Sequence, residues 1–132
     1  MSDVPKRIQL RRTKGWRKPE GAIVVARPSK WGNPFKVADC RVSWVEDEAQ
    51  ARKVCVEAFS DCVRYGYLGS WWPSSQDAQR HLRRIAEEVE DLRGHDLACW
   101  CPLETPDGSR APCHADVLLE LANPEVVFPW SK

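Results

Sequence analysis

Between Gly21 and Pro28 lies the run Ala22-Ile23-Val24-Val25-Ala26, apolar throughout and β-branched at its centre. It is too short for an ordinary helix and shows no polar alternation. Such a segment reads as a strand covered on both faces, which demands packed layers above and below its sheet. The surrounding chain supplies them. Lys6–Arg12 alternates apolar Ile8 and Leu10 with polar neighbours, the period of a half-buried strand. Asp96–Cys101 reads as a third strand, cut off by Pro102.

From about Trp44 to Tyr65 an amphipathic helix is predicted, with Val45, Ala49, Val56, Phe59 and Val63 near one face and Cys55 and Cys62 beside it. Gly66 to Pro73, with its Trp71-Trp72 pair, interrupts. Ser74 or Ser75 then caps a second helix, whose Ala78, Leu82, Ile85, Val89 and Leu92 recur at spacings of four and three and whose stop is Gly94. A short apolar helix runs from Cys113 or His114 to Ala122 and ends at Asn123-Pro124, and Val126–Phe128 reads as an edge strand. The order predicts an α/β fold: a single small domain with a partly parallel sheet and flanking helices. At 132 residues the chain has length for one such domain, with a core from about 6 to 123 and a short tail, 124–132.

No apolar run approaches the roughly 20 residues of a membrane span, and the first seven residues lack the apolar centre of a signal peptide. A cytoplasmic protein without membrane contact is expected, and with it six cysteines kept as thiols rather than a disulfide framework. Charge is distributed unevenly. Residues 1–36 carry ten Lys and Arg against Asp3 and Glu20, whereas residues 46–96 carry eleven acids against seven bases. A basic end of this kind suits a phosphate-bearing partner, either a nucleotide or a nucleic acid, unless the cations lie on scattered solvated faces.

Two segments that leave predicted strands can carry chemistry, because ligands of open α/β sheets bind beyond the carboxyl ends of strands. The first is Arg27-Pro28-Ser29-Lys30-Trp31-Gly32-Asn33-Pro34-Phe35. Gly32 and Asn33 can present backbone N–H groups, Arg27 and Lys30 positive charge, Ser29 a hydroxyl, and Trp31 a stacking face. It matches no standard nucleotide fingerprint, and the competing reading is a rigid turn whose Trp31 and Phe35 plug the core.

The second is Cys99-Trp100-Cys101-Pro102 followed by Pro112-Cys113-His114-Ala115-Asp116. On a strand Cys99 and Cys101 point to one face, and Pro112 fits the start of a helix with Cys113 and His114 in its first turn. Three readings stay open. Cys113 can be a nucleophile whose thiol the helix N-terminus activates, with His114 or Asp116 moving protons. Cys99, Cys101, Cys113 and His114 can form a zinc site, although the adjacent Cys-His pair departs from the usual ligand spacing. Or Cys99 and Cys101 are small buried hydrophobes and the helix N-terminus, with His114, binds an anion. His81 and His95 lack such context and read as solvated.

These two segments, together with Leu92–Pro102 and Pro112–Leu118, resemble the domain-of-unknown-function family numbered 4326. Its members are small bacterial and phage domains with an R-P-S-x-W-G-N-P-F loop and a C-W-C…C-H-x-D-x-L end. The resemblance spans about Ile8 to Asn123 and implies no activity, since the family was defined without one. The Cys-His end is also similar to another uncharacterised α/β family with a Cys-His-Arg signature. Here Ala115 follows His114, so no arginine clamp carries over, and eleven residues separate Cys101 from Cys113.

The combined expectation is one pocket between the two loops, binding a phosphate-bearing small molecule of nucleotide or nucleotide-sugar type. Arg27, Ser29, Lys30, Trp31, Gly32 and Asn33 would bind the ligand, and Cys113, His114 and Asp116 would carry any catalysis; whether the ligand is processed or only held stays open. The alternative is a zinc-stabilised nucleic-acid-binding module that uses Arg7, Arg11, Arg12, Lys14 and Arg17, with Trp16 for stacking. A third option is an interaction adaptor using the Trp71-Trp72 pair.

Overall fold

The computed structural model describes residues 4–36, 47–66 and 76–128. Its elements follow the expected order: β1 (Arg7–Gln9), β2 (Ile23–Val24), α1 (Glu48–Tyr65), α2 (Gln76–Glu88), β3 (Leu97–Cys99) and α3 (His114–Ala122), with a 3₁₀ turn at Val89–Leu92 after α2. The strands form one parallel sheet in the order β1-β3-β2. Ala98 lies opposite Ile8 on one side and opposite Val24 on the other. Both ladders continue past the strand ends, with Leu10 N–H donating to the Cys99 carbonyl and Val25 N–H to that of Ala98, each at 2.8 Å.

The strand covered on both faces is the central one. Leu97, Ala98 and Cys99 of β3 are all buried, whereas Val24 of the edge strand β2 is exposed. Burial resumes just beyond β2, at Val25 and Ala26. Strand β1 is shorter than its alternating pattern suggested, and Val126–Phe128 is not a strand; Phe128 instead drops into the core.

Helix α1 begins at an Asp47 cap, whose Oδ1 accepts from Gln50 N–H at 2.7 Å, and ends at Gly66, in the left-handed region at φ 74°. Its inward face is Ala51, Val54, Cys55, Ala58, Phe59, Cys62 and Val63, so the two cysteines lie inside the apolar stripe and Ala49 lies outside it. Val45, the Trp71-Trp72 pair and the predicted Ser74/Ser75 cap fall outside the described residues. Ala78, Leu82 and Ile85 bury one face of α2, and Leu92 extends that face through the 3₁₀ turn. Helix α1 packs against both α2 and α3, and α3 also contacts β1 and β3. No helix among the described residues is long and apolar enough to cross a membrane.

Candidate metal centre and its hollow

The chain leaving β3 carries Cys99 and Cys101 to one side, with their sulfurs 3.7 Å apart. Trp100, between them, is 45% exposed, and the Arg12 guanidinium sits 4.8 Å from its ring centre. Eleven residues later the chain returns, and Cys113 becomes the N-cap of α3, its Sγ accepting from Ala115 N–H at 3.5 Å. The Sγ atoms of Cys99, Cys101 and Cys113 all lie within 4.8 Å of one another, an arrangement able to hold a metal ion. Cys99 and Cys113 are buried and Cys101 is half-buried; none is in a disulfide.

One arginine fixes this geometry. Arg7, whose side chain is 0% exposed, donates to the carbonyls of Ala111 at 2.9 Å and of Pro102 and Leu103 at 3.1 Å each, and lies 3.3 Å from Asp116 Oδ2. Both ends of the segment joining Cys101 to Cys113 are thereby tied to β1. The Arg7 Nε is the one buried side-chain nitrogen or oxygen among the described residues that lacks a hydrogen-bond partner. Asp116 also takes two bonds from Arg110, at 2.9 and 2.7 Å. The carboxylate expected to move protons is therefore held between two guanidiniums and is not part of the hollow's lining. Arg7 is likewise no part of a free basic surface.

His114 is buried against the end of β2. Its Nε2 lies 2.8 Å from the Val25 carbonyl, which can only accept, so Nε2 carries the proton. The Phe59 ring meets the imidazole edge-on at 5.2 Å between centres. Burial pushes the imidazole pKa down, with the nearby Arg27 charge acting the same way, against the opposing effects of Cys99 and of the Val25 carbonyl. Its Nδ1 is 3.9 Å from Cys113 Sγ. His114 thus pins α3 to the end of β2 and sits beside Cys113, but is not one of the residues whose ligand atoms all lie within 4.8 Å of one another.

The three thiols titrate as a set. Hydrogen bonds from Cys101 and Cys113 push Cys99 strongly down, against burial. Cys113, which gives hydrogen bonds to both neighbours and is buried, is pushed well up. At Cys101 the bond from Cys113 lowers the pKa, but the bond to Cys99 and burial outweigh it, and the net direction is upward. Burial and the hydrogen bonds to its neighbours thus act on Cys113 against the lowering expected from the helix N-terminus.

Arg27–Phe35 folds as two successive turns, Ser29 N–H to Ala26 at 2.9 Å and Gly32 N–H to Ser29 at 3.1 Å, and the Arg27–Pro28 peptide is cis. Most of the expected ligand groups are used internally. Trp31 is buried at 5% exposure and cannot stack on a base; the Lys30 ammonium sits 4.9 Å from its ring and pairs with Glu88 at 3.0 Å. Ser29 Oγ accepts from Trp31 N–H. Asn33 donates from Nδ2 to the Cys55 carbonyl at 3.2 Å and accepts at Oδ1 from Phe35 N–H at 2.9 Å. Gly32 packs so tightly on Arg27 that an added Cβ would stand 2.8 Å from its Cγ, and its carbonyl accepts from His81 Nε2 at 2.7 Å. His81 therefore anchors the loop to α2. His95, at the surface as predicted, lies 3.1 Å through Nδ1 from the Gly21 carbonyl.

The two loops meet at the carboxyl ends of β2 and β3, across a hollow of about 300 Å³. Cys99, Cys101, Cys113 and His114 line one part of it, Arg27, Asn33 and Phe35 another, and Arg52 and Cys55 of α1 a third. Of the expected ligand residues, Arg27 and Asn33 reach it, while Ser29, Lys30, Trp31 and Gly32 do not. Arg52 was missed in the sequence because its partner Glu48, four residues earlier and 3.2 Å away, makes it resemble an ordinary solvated helix pair.

No solved structure matches the chain. The motifs of both loops and the strands and helices that carry them fall within residues 8–124, which match a family model over that whole span, and the chain belongs to the family described as a domain of unknown function (DUF4326).

Proposed function

We propose that Cys99, Cys101 and Cys113 bind one zinc ion and that its fourth position opens into the hollow, making this a metal-centred small-molecule site. The spacing of the sulfurs carries the reading. Zinc–sulfur bonds of about 2.3 Å in a tetrahedron set sulfurs about 3.8 Å apart, and Cys99 and Cys101 already stand at 3.7 Å, with all three sulfurs within 4.8 Å. The outer support such a site needs is also present, since Arg7 holds both ends of the intervening segment and His114 pins the start of α3.

Three protein ligands plus one exchangeable position is the arrangement of zinc sites that act on ligands; four protein ligands mark sites that only stabilise. A zinc ion with an open position supplies a Lewis acid and acidifies bound water. Its location at the carboxyl ends of parallel strands is where α/β folds place ligands. The nucleic-acid alternative is weakened by Arg7, the first cation of its basic segment, which is buried. Elemental analysis of protein purified without chelators tests the proposal. About one zinc per chain is expected, with loss in Cys99→Ser, Cys101→Ser and Cys113→Ser; zinc-free protein that also takes up no added zinc overturns it.

A further inference from the structure

The hollow also carries a charge pattern that points to the class of its ligand. Two arginines line it, Arg27 from the loop after β2 and Arg52 from α1, and among the described residues no Asp or Glu does. Neither guanidinium is spent on the thiols by direct hydrogen bonding. Arg27 Nη1 donates to the Asn33 carbonyl at 3.0 Å, which fixes one edge of its fork, and Arg52 Nη2 pairs with Glu48 at 3.2 Å outside the lining. An arginine fork presents five N–H donors, so each group keeps donors beyond those bonds. Arg27 is also braced from behind: the close approach of Gly32 leaves its stem no room to fold back.

A divalent ion on three thiolates carries one net negative charge. Arg27 and Arg52 each bring a positive charge to the lining, and Glu48 offsets that of Arg52 from outside it. A neutral ligand would leave their remaining N–H donors without an acceptor in a partly enclosed space, whereas an oxyanion supplies one.

Resting on the zinc reading above, we propose that the hollow takes a small molecule by an oxyanion, a phosphate or carboxylate group, that sits at the open metal position between Arg27 and Arg52. Arginine suits this role because its planar fork matches both oxyanions with paired bonds. Arg27 and Arg52 are then the specificity-determining residues. Removing either leaves the metal in place and weakens the ligand.

Cobalt(II) in place of zinc makes both parts visible. Sulfur-to-cobalt charge-transfer bands report the three thiolates, and the cobalt d–d bands report what occupies the fourth position. After removal of unbound cobalt, the loaded protein is titrated with inorganic phosphate and, separately, with acetate. The expected result is a saturable change in the d–d bands with at least one of the two, and the better ligand names the source of the oxyanion. Arg27→Gln and Arg52→Gln should each weaken that response about tenfold or more, the loss typical of a charged hydrogen bond, with the charge-transfer bands and the cobalt content unchanged. Intact charge-transfer bands with no response to either anion, or with a response that both variants retain, overturn the oxyanion proposal alone. Absence of the charge-transfer bands overturns the metal reading and this proposal together.

Discussion

Replacing Arg7 by methionine isolates the clamp on the thiol segment, because it keeps an apolar stem of similar reach and removes the guanidinium. The wild-type group satisfies three carbonyls, those of Pro102, Leu103 and Ala111, and faces Asp116. Breaking a buried charged contact of this kind costs about 3–5 kcal/mol. Two features put this case at the lower end. Asp116 keeps its paired bonds to Arg110, so its charge is not orphaned, and the Leu103 end of the segment is solvent-facing. The loss is then about 3 kcal/mol, a large share of the roughly 5–15 kcal/mol that holds a domain together. In urea unfolding, with a slope of about 2 kcal/mol/M, the midpoint should fall by about 1.5 M at unchanged slope. Arg110→Met, which removes the paired bonds to the same carboxylate from a partly exposed side chain, should cost less than about 1 kcal/mol. A shift under about 0.5 M for Arg7→Met, or equal shifts for the two variants, would refute the clamp.

Gly32→Ala should destabilise by about 1–3 kcal/mol, because the new methyl meets Arg27 Cγ at 2.8 Å and its Cα at 3.0 Å and a backbone atom must move; thermal unfolding checks this, and an unchanged melting temperature contradicts it. Asp107 caps the turn within the thiol segment, accepting from Thr105 Oγ1 and from Ser109 N–H, and these bonds hold its pKa down to about 2, below the ordinary 3.8. A carboxylate lowered on folding stabilises above its unfolded pKa and loses that contribution as pH falls through the folded one. Asp107→Asn should therefore lie below wild type in urea midpoint at neutral pH, and the gap should narrow as pH falls from about 4 to 2; a gap independent of pH would count against it.

How far the molecule could be read from its sequence depends on the range of the interaction concerned. The spacing of Ala78, Leu82, Ile85 and Leu92 located α2, and the alternation of Cys99, Trp100 and Cys101 placed the two sulfurs side by side, because both signals are local. A partly parallel sheet followed from the two helices between the apolar runs that became β2 and β3, while nothing local showed that β1 also pairs parallel with β3. What escaped depends on distant partners. Arg7 belongs by composition to a basic run, and only contacts with carbonyls and a carboxylate some 95 to 109 positions away make it a buried clamp. Trp31 and Trp100 are both tryptophans in strand-end segments; tertiary packing alone buries the first and exposes the second. His81 faces polar neighbours along its own helix, so nothing near it in the chain announces the Gly32 carbonyl it holds.

X-ray absorption at the zinc edge counts the ligand atoms of the thiol site without any assay of activity. The account predicts three sulfurs at about 2.3 Å and one lighter oxygen or nitrogen atom around each zinc. A shell without sulfur would remove the thiol trio from the site, and a shell of four sulfurs would close the position on which ligand binding depends.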